Sequence, residues 1–413
     1  MLLFQPSTRP RASRGKIGLA IAGGGPIGGM YELGALRALD EAIEGLDLND
    51  LAVYVGVSSG AFLAAGLANR ISTEQMCRIF ITGDPDDVPF RPEAFLRPAF
   101  AEYGKRMAAM PRVLLGWWRD LLLHPRSIGI SDAMQRFGDL VPTGLFDNAA
   151  VERFLRDAYS RHGRTNDFRE LKRKLYVVAV DIDSGEAVRF GSEGWDDVPI
   201  SRAVQASAAL PALYPPVDIR GRQFVDGALR RTMHASVAFD SGVDLFIGLN
   251  PLVPIDNASA RRGAKGKYDN LSRGGLPMVL SQTFRTLLQS RMQVGMTRHA
   301  QQYDDVDQLV FEPNPSDGEM FFTNIFSYSA RQHLCEHAYR NTLDDLSARR
   351  AELAPVFARH GLRLRVEVLD DPARSLTAGL GEPAYRQTDA TASLRRALDD
   401  VAALVRQRRA ERG

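Results

Sequence analysis

Twice in succession near its start, the chain carries an apolar run of small and β-branched residues that ends in glycines and continues as an apolar helix. KIGLAIAGGG, from Lys16, leads into MYELGALRALDEAIEG, and LAVYVGVSSG, from Leu51, leads into AFLAAGLANRI. A strand followed by a helix and a further strand returns to the same end of its sheet, so the two strands run parallel. Later segments extend the pattern. KLYVVAVDIDSGEAVRF reads as a strand that turns at Asp183-Ser184-Gly185 into a second one, and VDLFIGLNPLV reads as a further buried strand. The expected fold is therefore α/β: a three-layer α/β/α sandwich around a mostly parallel central sheet.

The rest of the 413 residues arranges itself around that core. Residues 1–15 are polar and basic and are expected to form a flexible tail. A main domain is expected over 16–345, with a helical, proline-punctuated insertion at about 72–165 and a mobile polar loop at about 256–275. A long helix is expected from Pro277 to about Tyr303, a strand at QLVFEP and a helix from Ser327 to about His360. Residues 346–413 read as a C-terminal extension, with a last strand at LRLRVEVL and an amphipathic helix over 391–408.

Composition narrows the functional classes. Lysine and arginine number 52 against 50 aspartates and glutamates, a net charge of +2, which gives no signal for nucleic acid. Cys77 and Cys335 are the only cysteines, so no disulfide framework or zinc-like spacing is expected. The apolar start is too short for a signal peptide, and no window is long enough to span a bilayer. A cytoplasmic protein that meets any lipid from outside is expected.

Three motifs carry chemistry. Gly56-Val57-Ser58-Ser59-Gly60 is a GxSxG at a strand-to-helix junction. There a sharp turn projects a serine hydroxyl, and the following helix aims its positive end at a developing oxyanion. Gly23-Gly24-Gly25-Pro26-Ile27-Gly28-Gly29 lies between the first strand and its helix. It fits both a dinucleotide-binding GxGxxG and a row of backbone donors for an oxyanion. A dinucleotide site wants an acid at the end of the second strand. Here that strand runs into GVSSG, while Asp47 and Asp50 precede it, so the dinucleotide reading loses. The third motif, Asp226-Gly227-Ala228, places a carboxylate at a strand end, where it can deprotonate a serine hydroxyl.

In this order, and with AVQASAALPALYPP (Ala203 to Pro216) upstream of the aspartate, the motifs resemble the patatin-like phospholipase family over about residues 16–250. The resemblance implies a lipid acyl hydrolase with a Ser-Asp dyad. Ser58 would be the nucleophile and Asp226 the general base. Gly23, Gly24, Gly25 and Gly28 would supply the oxyanion loop, while Gly56, Gly60, Gly227 and Ala228 would support the motifs. The substrate would be a phospholipid or lysophospholipid, and neither a metal nor another cofactor is called for. Two positions depart from the family: Ile27 where an Arg or Lys is common, and Thr232-Met233-His234 where an Asn-x-Pro is common. The first puts a headgroup phosphate contact in doubt. His234 reads as a surface or supporting residue and His124 as structural.

MPRVLLGWWRDLLL, residues 110–123, has the tryptophans, leucines and flanking arginines of a segment lying in a lipid interface. A basic end at Arg406, Arg408 and Arg409 would add electrostatic attraction. Competing readings are a neutral-lipid esterase, thioesterase or acyltransferase with the same dyad, a flavin or nicotinamide oxidoreductase built on the first glycine loop, and a non-catalytic lipid-binding protein.

Overall fold

A computed structural model describes residues 1–10, 12–82, 87–88, 90, 92–100, 102–104, 107–108, 110–111, 115, 141–262, 270–322, 328–378 and 380. In chain order the strands are β1 (Leu2–Gln5), β2 (Ile17–Ile21), β3 (Ile43–Glu44), β4 (Val53–Gly56), β5 (Lys174–Asp181), β6 (Ala187–Phe190), β7 (Val217–Ile219), β8 (Arg222–Asp226), β9 (Leu245–Leu249), β10 (Asp307–Phe311) and β11 (Arg363–Leu364). The longer helices are α1 (Gly25–Ala42), α2 (Ser59–Ala68), α3 (Ala149–Tyr159), α4 (Ile200–Ser207), α5 (Gly275–Gln302) and α6 (Tyr328–Ala348).

Strands β10, β9, β2, β4 and β5 run parallel and side by side. Alternation along them explains the three layers. Leu19 and Ile21 of β2, Tyr54 of β4 and Leu245, Ile247 and Leu249 of β9 enter one apolar cluster with α1, α2 and α6. Their neighbours Ala20, Val53, Val55 and Phe246 enter a second cluster on the opposite face, with Val237, Phe239 and Met292. Because successive residues of a strand face opposite ways, both faces of this sheet are covered.

Strand β5 is the junction of the sheet. Val177 pairs with both Gly56 of β4 and Phe190 of β6. Ala179 pairs with both Val188 of β6 and Asp226 of β8. A strand has only two edges, so β4 and β8 lie end to end along one edge of β5, with their C-terminal ends facing each other.

Several expectations change. The expected tail contributes β1, which pairs antiparallel with β10 and buries Leu2. The run LRLRVEVL gives only the two-residue β11, paired with β3, and then a helical turn at Val366–Leu369. Its buried Leu364 and Val368 are four apart, a spacing that suits a helix as well as a strand. The single expected helix over 327–360 is two, α6 and Arg350–Arg359. Part of the expected loop over 256–275 is ordered as a short helix, Asn257–Arg262, and a 3-10 turn, Leu271–Gly274. The 391–408 helix, the arginines at 406, 408 and 409, His124 and most of 110–123 lie outside the described residues. No helix among the described residues is long and apolar enough to cross a membrane.

Helix α1 carries the glycine loop at its head, and its position is set by very close contact with α6. A Cβ on Gly34 would lie 2.2 Å from the carbonyl oxygen of Cys335 and 3.0 Å from the Cβ of Ala338. The thiols of Cys77 and Cys335 meet nearby, both buried and free. In an exposed helix, glycine to alanine stabilises by about 1 kcal/mol. At this crossing the sign is expected to reverse: Gly34→Ala should destabilise by about 1–3 kcal/mol through overpacking, measured by urea denaturation.

Candidate active site

The GxSxG turn joins β4 to α2, and Ser58 sits at its apex with φ 52° and ψ −121°. That backbone region is ordinarily left to glycine and costs a side-chain-bearing residue about 1–3 kcal/mol. The turn is tight because α2 starts directly against the end of β2. A Cβ on Gly60 would lie 2.3 Å from the Ala22 carbonyl oxygen, so only glycine fits there. The Ser58 amide donates to Ser207 Oγ (2.9 Å), and that hydroxyl donates to the Val178 carbonyl (2.6 Å). Ser207, the last residue of α4, thus ties the strained turn to β5.

Asp226 ends β8 and faces the turn along the same edge of β5. Its amide donates to the Ala209 carbonyl (3.0 Å), which fixes the backbone. Its carboxylate accepts from the Ala228 amide (2.9 Å) and lies beside the Ser58 side chain. Gly227 allows the close approach, since a Cβ there would meet the Val178 carbonyl oxygen at 2.2 Å. The structure therefore brings Ser58 and Asp226, far apart in the sequence, side by side. Both residues are buried.

The glycine loop roofs this pair. A Cβ on Gly23 would stand 2.8 Å from that of Ser58. Gly24 is the cap of α1 and Gly25, with φ +61°, its first residue. Amides at the head of a helix have no carbonyl one turn earlier to bond. The Gly28 amide is already engaged, donating to the Gly24 carbonyl (3.1 Å). Pro251, just after β9, packs on Gly24 and Gly28 and closes the loop from behind. Arg285 of α5 donates to the carbonyls of Pro251 (3.1 Å) and Val253 (3.2 Å), placing a guanidinium behind a loop that has Ile27 where a cation is common. Burial pulls the pKa of that guanidinium down to about 10.

One residue at the site, Glu32, had no signal in the sequence. Glu32 of α1 is buried and accepts from Ser59 Oγ (3.3 Å), and burial pushes its carboxyl well above the usual range. Of the two places expected for His234, surface or supporting, it takes the supporting one: it is buried, with Nε2 3.2 Å from the Gly227 carbonyl oxygen. Burial pulls its pKa down to about 4, so it is neutral at pH 7 and its Nε2–H is the donor. It braces the turn after Asp226 without touching the carboxylate.

Burial pushes the pKa of Asp226 up to about 6, against the smaller opposing effects of the Ser58 and Ala228 hydrogen bonds. A carboxyl raised in this way binds its proton more tightly when folded than when unfolded. Its contribution to stability is fully present below about pH 4 and is lost as pH rises through about 6. Asp226→Asn removes the buried ionisation. It is expected to raise the unfolding free energy by about 3 kcal/mol at pH 8 and to have little effect at pH 4, read from urea denaturation at the two pH values.

A family model for patatin-like phospholipases matches residues 19–239, the span that holds the glycine loop, the GxSxG turn and Asp226. Among solved structures, VipD from Legionella pneumophila is similar at 17% identity, over 63% of this chain and 56% of that one, with a TM-score of 0.31. Full-length ExoU of Pseudomonas aeruginosa, in complex with SpcU, is similar at 15% identity, over 85% and 62%, with a TM-score of 0.27. The chain thus spans 56% and 62% of the length of these two proteins, and at such TM-scores nothing of their activity carries over to it. The match of the family model over more than half of the sequence shows that the chain belongs to the patatin-like phospholipase family.

Proposed function

We propose that this chain is a lipid acyl hydrolase that cleaves the carboxylic esters of phospholipids or lysophospholipids through a Ser58–Asp226 dyad. The observation that carries the reading is the placement of buried Ser58 beside the buried Asp226 carboxylate, beneath the head of α1. In the reaction, Asp226 takes the hydroxyl proton as Ser58 Oγ bonds to the acyl carbon. The carbonyl oxygen becomes an oxyanion that accepts hydrogen bonds from the Gly24 and Gly25 amides, with the N-terminal end of α2 adding its dipole. Collapse breaks the bond to the alcohol, which leaves with the proton from Asp226, and the acyl group remains on Ser58. Water, deprotonated by the same carboxylate, then releases the fatty acid and restores both residues.

Asp226 suits this role better than an ordinary carboxylate. A pKa of about 6 makes it a stronger base, yet it is still mostly ionised at pH 7. The space around the glycine loop supports the hydrolase over the oxidoreductase reading. Ser58 presses on Gly23, and Pro251 on Gly24 and Gly28, where a pyrophosphate would need open backbone. The phosphate preference rests on weaker ground than the ester chemistry, because position 27 is isoleucine.

A fluorophosphonate probe is expected to label the wild-type protein and to fail on Ser58→Ala. Labelling that survives in the alanine variant would identify another serine as the nucleophile. Asp226→Asn is expected to lower the rate of hydrolysis of a short-chain ester by about 10²–10⁴-fold. In the wild type kcat/KM should rise with pH through about 6, as the carboxylate forms, and level off above it. Profiling phospholipid, triacylglycerol and thioester substrates separates the phospholipase from the esterase, thioesterase and acyltransferase readings.

A further inference from the structure

Helix α5 is turned inside out. Gln282, Arg285, Gln289 and Met292 recur at three- and four-residue spacing and so share one face. This face is held to the protein mainly by polar bonds. Gln282 brackets Ile255, its Oε1 accepting from the amide (3.1 Å) and its Nε2 donating to the carbonyl (2.9 Å). Arg285 donates to the Pro251 and Val253 carbonyls, and Gln289 accepts from Asn250 (3.1 Å) and donates to Glu312 (3.1 Å). On a wheel of 100° per residue, Leu276, Leu280, Leu287 and Val294 fall within about 40° of one another, on the side opposite to this polar face. These residues face outward: Leu276 is 69% exposed, Leu280 47%, Leu287 58% and Val294 70%. Phe284, 46% exposed, widens the stripe, and Leu271 folds beside Val279 and Leu287 to leave an open apolar groove of about 350 Å³.

A helix that buries amides and a guanidinium while exposing leucines has an apolar partner outside the chain's own core. Charge identifies that partner. From Asn270 to Tyr303 there is no aspartate or glutamate, while Arg273, Arg285, Arg291 and Arg298 are present. Arg291 and Arg298 are exposed and lie at the same angle as the leucines, further along the helix. An apolar stripe flanked by arginines and free of carboxylates is complementary to an anionic bilayer, with the leucines among the acyl chains and the guanidinium groups at phosphate depth. The helix is also joined to the site, since Arg285 bonds Pro251 and Pro251 packs on Gly24 and Gly28.

We infer that the outer face of α5 is the surface by which this protein seats on an anionic lipid bilayer, with the glycine loop drawn close to the membrane. The inference rests on the lipid-hydrolase reading for its purpose but not for its test. Binding is measured by co-sedimentation of the full chain, in a Ser58→Ala background, with phosphatidylcholine vesicles that contain or lack phosphatidylserine. Binding is expected to need phosphatidylserine, to weaken with added salt, and to fall at least tenfold in the double variant Leu280→Glu and Leu287→Glu. The same pair of substitutions, made with Ser58 intact, should leave hydrolysis of a water-soluble short-chain ester and the size-exclusion profile unchanged, which shows that the fold survives. Vesicle binding unaffected by the substitutions, or absent in the starting protein, overturns the inference. So does a wild-type dimer that the substitutions split into monomers, because a second copy would then be the cover. Absence of ester hydrolysis in a protein that still binds vesicles through α5 would overturn the hydrolase reading alone.

Discussion

The candidate site exists because two strands stop on the same edge of β5, one on either side of Val178. Strand β4 arrives from below and ends at Gly56, opposite Val177, and β8 arrives from above and ends at Asp226, opposite Ala179. The gap between them is one residue of β5. Into it point the serine turn from one side and the carboxylate from the other, and the Val178 carbonyl in the middle holds Ser207, which in turn holds the Ser58 amide. Sheet register thus positions Ser58 and Asp226 side by side. Backbone ladders hold such geometry more tightly than a rotatable side chain can.

The same arrangement carries an energetic cost. Ser58 occupies a backbone region that side chains avoid, and Asp226 is ionised in a place that raises its pKa to about 6. Both are stable only because the surroundings over-determine them. Glycines at 23, 60 and 227 let backbone and side chain approach closer than any Cβ would permit. Ser207 and the Ala228 amide satisfy the polar groups that remain. A strained serine and a buried carboxylate are poor choices for stability, which is the usual sign of a site held for chemistry.

The helix α5 shows the opposite bargain at the surface. Its polar side faces inward, where glutamine and arginine satisfy the irregular backbone after β9, and its leucines are left in water. The bonds that tie α5 to Asn250, Pro251 and Val253 are also the ones that back the glycine loop. The outer stripe of α5 and the candidate site are therefore mechanically one unit.

Local pattern determined the layered α/β class and the two strand–glycine–helix units, because each is written in contiguous residues, whereas Ser58, Asp226 and the glycine loop stood out only through the order of three motifs and their resemblance to a family. What lay beyond local pattern was decided by pairing between distant segments. Leu2–Gln5 reads as part of a tail and becomes an edge strand only because β10 offers it a ladder. LRLRVEVL alternates like a strand, but only β3 is there to pair with it, over two residues, and the rest closes into a helical turn. Ser207 looks like any small residue of a helix until the register of β5 and β8 buries it beside Ser58 and Asp226. The outward leucines of α5 were readable as a helix but not as a surface, since sequence periodicity gives the existence of an apolar face and only the tertiary structure says which way it points.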